Sequence, residues 1–387
     1  MLFTSEAVAS GHPDKIADQI ADAILDECLR IDPKAHVACE CFLSENFLFI
    51  GGEITMQGSV DYRSIARNKI KEIGYTDPDS GFKYDEIEIE LKIKEQSPNI
   101  YQAVTQLDQE EIGAGDQGIV FGYAVNETAS YLPLAYDLAN QILKRVDELR
   151  VNEPEHLIKP DAKSQVTISY DENQKLKVHT ILLSVSHGIN IDHQAFNQML
   201  ETKVIDAVLK QNGYYHEDIN KIINPSGEFS IYGPKGDTGL TGRKIIADSY
   251  GGYGHHGGGS FSGKDPSKVD RSAAYYARYI AKNLVAAKVA DRIEVELAYA
   301  IGMRGPLSIN INTFGCHRYP ERLLEHIVIT VFHPTVSSMI EELSLINNRP
   351  FRYQDLAKYG HFGRDDLDLP WEKTDRVSRI MKSLRKF

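Results

Sequence analysis

The chain has 387 residues, with 43 lysines and arginines against 55 aspartates and glutamates, which gives a formal net charge of −12 at pH 7. Apolar residues make up 42% of the chain and charged residues 25%, the fractions of an ordinary globular protein. This length predicts two or three domains. The acidic balance and the lack of any long apolar run argue against general nucleic-acid binding, membrane-surface binding and a membrane span.

Helix and strand patterns recur in the same order three times along the chain. Each unit begins with a helix pattern, continues with two strands and ends with a second helix, followed by a third strand in the first two units. The helix patterns that open the units begin at Pro13, Leu134 and Arg271, and FSIYG at 229–233 is the predicted third strand of the second unit. The order predicts an α+β fold of three similar α-β-β-α-β domains, with mostly antiparallel sheets covered by helices on one face. The predicted limits are 1–98 for the N-terminal domain, 99–115 for a mobile gate loop, 116–232 for the central domain and 233–387 for the C-terminal domain.

The first candidate site residues stand at the start of the first helix. Pro13 suits the first helical position, so His12 is predicted to be the N-cap, where free N–H groups favour anions. There His12 can donate a hydrogen bond to a leaving oxygen, and Asp14 can bind a metal ion. The alternative for His12 is a purely structural role.

Two glutamates lie in the first strand hairpin. Glu40 and Glu53 fall at or near strand ends, and Glu53 follows Gly51 and Gly52, which suits close approach of a ligand. Ordinary exposed glutamates are the alternative.

The segment from Gln96 to Asp116 has few apolar residues and ends in glycines. A stretch of about twenty residues without a core pattern inside a compact protein indicates a lid or a binding loop, with a disordered linker as the alternative. Residues 113–118 spell G-x-G-x-x-G, but DQEEI precedes them instead of an apolar strand, which excludes a dinucleotide fingerprint.

Further charged residues follow in the second and third units. Asp161 and Lys163 come just before a strand, where alternation puts both on one side. The glycine-rich segment 233–244 then carries Asp237, Arg243 and Lys244.

The run from Gly251 to Arg271 is the strongest indication of a polyphosphate site. Its glycines leave N–H groups free to converge on an anion, and Lys264 and Lys268 supply positive charge. Residues 258–264 match G-x-x-x-x-G-K, but Asp265 stands where a P-loop needs Ser or Thr. The pattern therefore predicts a polyphosphate site unlike that of a P-loop NTPase, and a basic surface loop is the alternative. The candidate cations together suit a triphosphate or pyrophosphate; they are Lys163, Arg243, Lys244, Lys264 and Lys268.

The cysteines and the first residues indicate a cytoplasmic protein. Cys39 and Cys41 would face one side of a strand, but Cys28 and Cys316 supply no second pair for zinc. Free thiols in a reducing compartment are expected. The N-terminus carries no basic region before an apolar stretch, which is not the pattern of a signal peptide.

Five segments together resemble the signatures of S-adenosylmethionine synthetases (methionine adenosyltransferases): GHPDK at 11–15, GAGDQG at 113–118, PDAKSQV at 160–166, GDTGLTGRK at 236–244 and GGGSFSGKDPSKVDRSAAY at 257–275. The resemblance extends over nearly the whole chain. It implies three domains about a pseudo-threefold axis and a homotetramer of two tight dimers, with active sites at the dimer interface. It also implies attack of methionine sulfur on C5′ of ATP, and hydrolysis of the released triphosphate to phosphate and pyrophosphate.

The resemblance further implies roles for single residues. The catalytic residues would be His12, Lys163 and Lys264. ATP would contact His12, Asp161, Lys163, Phe229, Asp237, Arg243, Lys244, Ser260 and Lys264. Methionine would contact Glu53, Gln96, Asp116, Asp237 and Lys268. Two Mg²⁺ ions would be served by Asp14 and Asp270, and K⁺ by Glu40, while the loop from Gln96 to about Leu107 would be a mobile gate.

The chain departs from the usual family pattern at Glu228, where arginine is common, and at Ser260 and Ser10. Two other functions stay open on sequence grounds. One is a kinase or ATPase that attacks the γ-phosphorus and releases ADP, against which the missing Ser or Thr after Lys264 speaks. The other is a catalytically silent paralogue that binds ATP and regulates a partner, a function that only Glu228 favours.

Overall fold

The structure is a computed structural model and describes residues 1–95, 113–152, 157–171 and 175–386. The described strands are β1 (Leu2–Val8), β2 (His36–Ser44), β3 (Phe47–Thr55), β4 (Glu88–Lys94), β5 (Gly118–Val125), β6 (Ile158–Tyr170), β7 (Leu176–His187), β8 (Asn220–Ile223), β9 (Gly239–Leu240), β10 (Arg292–Tyr299) and β11 (Ser308–Asn312). Gln96 and most of the predicted loop lie outside the described residues.

Helices alternate with these strands. They are α1 (Pro13–Ile31), α2 (Tyr62–Ile73), α3 (Leu134–Asn152), α4 (His193–Leu200), α5 (Ala207–Gln211), α6 (Ile245–Asp248), α7 (Val269–Ala286), α8 (Glu321–Val331), α9 (Val336–Glu342), α10 (Tyr353–Leu356) and α11 (Val377–Leu384). A π-helical turn, Glu201–Asp206, joins α4 to α5. The predicted α+β fold of three similar domains is confirmed.

The three sheets are built by one connection rule used three times. In the first two sheets the strands of one unit lie in the order third, second, first, and in the last sheet the two strands of the third unit lie in the order second, first. In all three sheets a strand from elsewhere in the chain pairs with the first. Thus β9 joins the sheet of β2 to β4, β1 joins that of β6 to β8, and β5 joins that of β10 and β11. Each added strand comes directly before one unit in the chain but pairs with the unit after it. Strand β1 precedes the first unit and pairs with the second, β5 precedes the second and pairs with the third, and β9 precedes the third and pairs with the first. This repetition is what a pseudo-threefold arrangement requires.

The pairing is antiparallel except at the third strands. In the first two sheets β4 runs parallel to β3, and β8 runs parallel to β7. Every other strand pair is antiparallel. The sheets are therefore mostly antiparallel, as expected.

A long helix covers one face of each sheet. Helix α1 packs against β2, α3 against β6, and α7 against β5 and β10. Helix α7 is buried on nearly all sides, which agrees with its run of alanine and tyrosine. The apolar side chains form two clusters, one between the first and third sheets with α1 and α7, and one around α3 and β6.

The third strand of the second unit was wrongly predicted at FSIYG. The strand is β8, and the chain turns after it at Asn224 and Gly227, whose φ angles are 42° and 82°. After that turn the Phe229 carbonyl accepts the His187 N–H, and the Phe229 N–H donates to Nε2 of the His187 ring, which is not a strand ladder.

Two further expectations concern the described residues. All four cysteines are free, as expected, and only Cys316 is partly exposed. No single described helix has both the length and the apolar composition to cross a membrane. Helices α8 and α9 have the required length and composition only when taken as a pair, and that pair is bent by 74° at the break between them.

Candidate active site

His12 is the N-cap of α1, as the sequence predicts. Its Nδ1 atom accepts a hydrogen bond from the main-chain N–H of Asp14 at 3.2 Å, and Pro13 occupies the first helical position. Neighbouring side chains hold the motif in place: the Tyr75 hydroxyl donates to the Gly11 carbonyl at 2.6 Å. The N–H groups of this first turn are engaged, because Asp14 donates to the His12 ring and Lys15 donates to the His12 carbonyl. What α1 offers to an anion near His12 is the positive end of the helix dipole.

The histidine is neutral at physiological pH. Burial, together with the positive charges of Lys244 and Lys163, lowers the pKa of His12 to about 3. Because Nδ1 is an acceptor, the proton of the neutral ring lies on Nε2. His12 thus presents a neutral N–H donor in a positive environment.

Asp14 fixes the loop that carries two of the predicted cations. Its carboxylate accepts hydrogen bonds from the Leu240 N–H at 2.9 Å and from the Lys244 ammonium at 2.5 Å, and Arg243 lies 3.7 Å away. Burial opposes the charge of Asp14, but the bonds from Lys244 and Leu240 outweigh it and lower the pKa. The loop after β9 is thereby tied to the start of α1.

Asp161 and Lys163 lie beside this loop. The register of β6 is irregular between Ile158 and Ala162, so Asp161 lies in a bulge, where its carboxylate accepts the Gly233 N–H at 3.0 Å. Burial raises the pKa of Asp161 to about 6, against the opposing effects of Gly233 and Lys163. Lys163 itself is exposed and close enough to act on both His12 and Asp161.

We call these side chains the histidine group; its members are His12, Asp14, Asp161, Lys163, Asp237, Arg243 and Lys244. Asp237 is exposed and acts on the pKa of Asp161. The group combines one neutral donor, three cations and a helix N-terminus with three aspartates, two of which, Asp14 and Asp161, accept main-chain N–H groups. That combination suits an anion whose charge grows at an oxygen near His12.

A second set of predicted residues lies on the first sheet. Glu53 of β3 is the pairing partner of Ala38 in β2, and Lys264 forms an isolated antiparallel β-bridge with Ala38 on the opposite edge of β2. Residues directly opposite one another share a face, so Glu53 and Lys264 flank Ala38 on one face. Glu40 lies two residues after Ala38 in β2, so it lies on the same face of the sheet. This face is turned away from α1, because the alternate residues of β2 are the buried ones.

The start of α7 adds the remaining charges. The Lys264 ammonium donates to Asp270 at 2.5 Å, and Lys268 donates to the buried Asp265 at the same distance. Gly118 faces Asp270: a Cβ atom there would lie 3.1 Å from its carboxylate. Asp116, two residues before Gly118, is exposed.

We call this second set the sheet group; its members are Glu40, Glu53, Asp116, Lys264, Lys268 and Asp270. Among the residues that the structure describes, no hydrogen bond or ion pair joins it to the histidine group. Ser260 lies between them, since a Cβ atom at Gly242 would lie 2.5 Å from Cβ of Ser260, and one at the preceding Gly259 would lie 2.2 Å from the carboxyl carbon of Asp270. The charged site residues that the structure describes thus fall into two groups that no hydrogen bond or ion pair connects.

Glu228, which departs from the family pattern, lies beside a histidine. Its carboxylate is 3.3 Å from Nε2 of His193, and both side chains are exposed. Ligand atoms of His187, His193 and Glu228 lie within 4.8 Å of one another. The His187 ring is already engaged, because Nε2 accepts the Phe229 N–H and Nδ1 contacts the Gly188 carbonyl.

Sequence reasoning missed a buried row of charges along α1. Asp18 and Asp22 are fully buried, Lys15 binds Asp18 and Asp248, and Arg271 binds Asp22. The signal was present as aspartates at every fourth position, but such a stripe ordinarily indicates a solvated helix face.

The chain matches family models over almost its whole length. The matching models describe the N-terminal domain of S-adenosylmethionine synthetase over residues 1–98, its central domain over 111–229 and its C-terminal domain over 231–373.

Full-length relatives agree. The chain is 47% identical over 388 aligned residues to an S-adenosylmethionine synthase of Clostridium tetani, with 98% of each chain covered. It is 49% identical to one of Mycoplasma capricolum, covering 100% of this chain and 97% of the relative. An enzyme of the same name from Synechocystis is 46% identical over 97% of this chain and 94% of its own. The resemblance inferred from the motifs is confirmed: the chain belongs to the S-adenosylmethionine synthetase family.

Proposed function

We propose that this chain transfers the adenosyl group of ATP to the sulfur of L-methionine, and that the same site hydrolyses the released triphosphate to phosphate and pyrophosphate. The observation that carries the proposal is the neutral Nε2–H donor of His12, surrounded by Lys163, Arg243 and Lys244 at a helix N-terminus. The names of the relatives support the same reaction.

The chemistry needs such a site. A thioether is a weak nucleophile, so the reaction depends on a good leaving group at C5′ of ATP. As the C5′–O bond breaks, negative charge grows on the triphosphate oxygen, where preorganised donors and cations are most effective. A neutral histidine that donates to this oxygen stabilises the transition state more than the bound substrate, and so raises kcat.

Metal ions fit the carboxylates of both groups. Mg²⁺ prefers hard oxygen ligands and is commonly held by one or two carboxylates together with substrate phosphates. Asp14 and Asp270 each have one carboxylate oxygen bound to a lysine, which leaves acceptor capacity for an ion. They would hold two Mg²⁺ ions, and the exposed Glu40 would hold K⁺. The ions would offset the charge of the triphosphate.

Two copies of the chain would complete each active site. The histidine group lacks three of the predicted methionine contacts, Glu53, Asp116 and Lys268, which belong to the sheet group. The face that carries the sheet group also carries an exposed apolar side chain, Phe42, paired with Phe49 and Leu240 on the neighbouring strands. A second copy packed on this face would cover the apolar patch and supply the missing half. The resemblance extends this dimer to a homotetramer.

The remaining groups have proposed substrate contacts. Phe229 and Ser260 would line the nucleotide, and Asp161 and Asp237 would flank it. Asp116 and Gln96 would contact methionine, with Gln96 in the proposed gate. The free cysteines favour a reducing, cytoplasmic location.

One product analysis tests this function. The purified chain is incubated with ATP, L-methionine, Mg²⁺ and K⁺, and the products are followed by phosphorus NMR and chromatography. We expect S-adenosylmethionine, phosphate and pyrophosphate in equal amounts, with none formed when methionine is omitted. ADP would indicate a kinase or ATPase, free triphosphate would contradict the hydrolysis step, and ATP binding without product would indicate a silent paralogue.

A further inference from the structure

Helix α1 carries four aspartates on one line, each a turn from the next: Asp14, Asp18, Asp22 and Asp26. All four are buried, with relative exposures of 1%, 0%, 0% and 9%. Side chains four residues apart lie on the same helix face. Burying carboxylates is costly unless hydrogen bonds and positive charges satisfy them, so the partners of these four aspartates are informative.

Asp18 holds the loop that carries Arg243 and Lys244. Its Oδ1 atom accepts the Gly242 N–H at 2.9 Å, and its Oδ2 atom accepts from the Lys15 ammonium at 2.8 Å. Gly242 has a φ of 78° and directly precedes the two cations. Together with the contact from Asp14 to Leu240, this bond fixes the loop main chain at two points.

Asp22 does the same for Lys264. Its Oδ1 atom accepts the Gly263 N–H at 2.8 Å, and both its oxygens accept from Arg271 at 2.7 Å. The Arg271 guanidinium also donates to the Lys264 carbonyl at 3.1 Å. The buried pair therefore holds the main chain on both sides of the bond between Gly263 and Lys264.

Asp26 differs in what it holds. Its oxygens accept from Arg349, from the Tyr353 N–H and from Gln354. None of these partners belongs to the histidine or the sheet group. The fourth aspartate is therefore also buried, with the same spacing and a similar number of partners, but without a link to the candidate site.

We propose that Asp18 and Asp22 are positioning residues for polyphosphate. They act through the main-chain amides of Gly242 and Gly263, and one helix thereby sets the positions of Lys244 and Lys264 in the two groups. The inference rests on the proposed function. It predicts that loss of either carboxylate moves the cations away from the phosphate oxygens while the fold persists.

Asparagine substitutions test the proposal. Each aspartate uses both oxygens, whereas an amide keeps one acceptor oxygen and puts an NH2 donor in place of the other. Asp18→Asn therefore cannot satisfy both Gly242 and Lys15, and Asp22→Asn loses at least one of its bonds from Gly263 and Arg271. Asp26→Asn is the matched control, since Asp26 also uses both oxygens. All three full-length variants are compared with wild type by circular dichroism, melting temperature, kcat, and binding of inorganic tripolyphosphate with Mg²⁺ in the absence of methionine.

We expect Asp18→Asn and Asp22→Asn to weaken tripolyphosphate binding and lower kcat by about 10- to 100-fold, the effect of a displacement of about 1 Å. Asp26→Asn should lose melting temperature but stay within about 2-fold of wild type in both measurements. If Asp22→Asn does not fold because Arg271 is left unpaired, Asp18→Asn decides, since Lys15 keeps Asp248 as a partner.

Two outcomes overturn the positioning role. One is tripolyphosphate binding within about 2-fold of wild type in folded Asp18→Asn. The other is an equal loss in Asp26→Asn, which would mean that any buried aspartate of α1 has the same effect. Failure of wild type to form S-adenosylmethionine would instead overturn the proposed function, because tripolyphosphate binding is measured without the methionine reaction.

Discussion

The main-chain N–H of Asp14 donates to Nδ1 of His12, and this contact leaves the proton of the neutral imidazole on Nε2. A buried histidine among cations could not hold a second proton, and its pKa of about 3 agrees. The ring therefore acts as a neutral donor throughout the physiological pH range.

The first prediction concerns this donor. His12→Asn keeps an oxygen that can cap α1 but changes the group that faces the leaving oxygen. We expect kcat to fall by about 10²- to 10⁴-fold while the dissociation constant of ATP changes little, as measured by steady-state kinetics and by direct binding. A variant with a normal kcat would remove His12 from the mechanism.

A second prediction concerns the pH dependence of stability. Full burial, with help from Arg271 and Lys15, lowers the pKa of His361 well below its ordinary value of 6.5. Below pH 6.5 the unfolded chain therefore takes up a proton that the folded chain does not. As the pH falls through this range, His361 lowers the free energy of unfolding by up to about 1.4 kcal/mol for each pH unit.

His361→Gln removes that contribution. The variant should lose less of its unfolding midpoint than wild type does between pH 7 and pH 5.5. Asp248, whose pKa burial raises to about 7, contributes with the opposite sign in this range, but both proteins contain it. Equal losses of midpoint in the two proteins would show that His361 is protonated in the fold.

The third prediction is a near-silent change. Glu228 is exposed and faces His193 rather than the cations of the site. Glu228→Gln and Glu228→Arg should leave the KM for ATP within about 2-fold, the usual scale of a surface substitution. If arginine lowers this KM strongly, residue 228 reaches the nucleotide and its pairing with His193 does not persist in the complex.

The fourth prediction uses two glycines. A Cβ atom at Gly259 would lie 2.2 Å from the carboxyl carbon of Asp270, whereas one at Gly305 would lie 3.8 Å from Thr335, an ordinary contact. Gly259→Ala should push Asp270 aside, lower kcat by at least about 10-fold and raise the Mg²⁺ concentration needed for half-maximal rate. Gly305→Ala should match wild type, and equal behaviour of the two variants would count against a role for Asp270.

Much of this architecture followed from local patterns. Pro13 predicted the start of α1 and the capping role of His12, and the alternation of helices and strands predicted three similar units. The exchange of strands between units did not follow, because a period-two pattern indicates a face and not a partner. Strand β9 has only two residues, too few to give any pattern.

The site was predictable in its members but not in its grouping. Glycine, lysine and aspartate motifs pointed to the residues one by one, and the family resemblance supplied their roles. Asp22 escaped notice, because an aspartate in a helix looks solvated until the loop at Gly263 folds over it. The division into a histidine group and a sheet group depends on tertiary contacts across more than one unit, which no local motif contains.

Complementation between two inactive variants, His12→Asn and Lys264→Ala, shows whether two copies of the chain share each active site. The two chains are co-expressed with different tags, and assemblies that carry both tags are purified. If each site combines the histidine group of one copy with the sheet group of the other, a mixed dimer has one site with both lesions and one intact site. Its activity should be about half that of wild type, while each variant alone stays inactive. A mixed dimer as inactive as its parents would contradict a shared site and would require both groups to act within one chain.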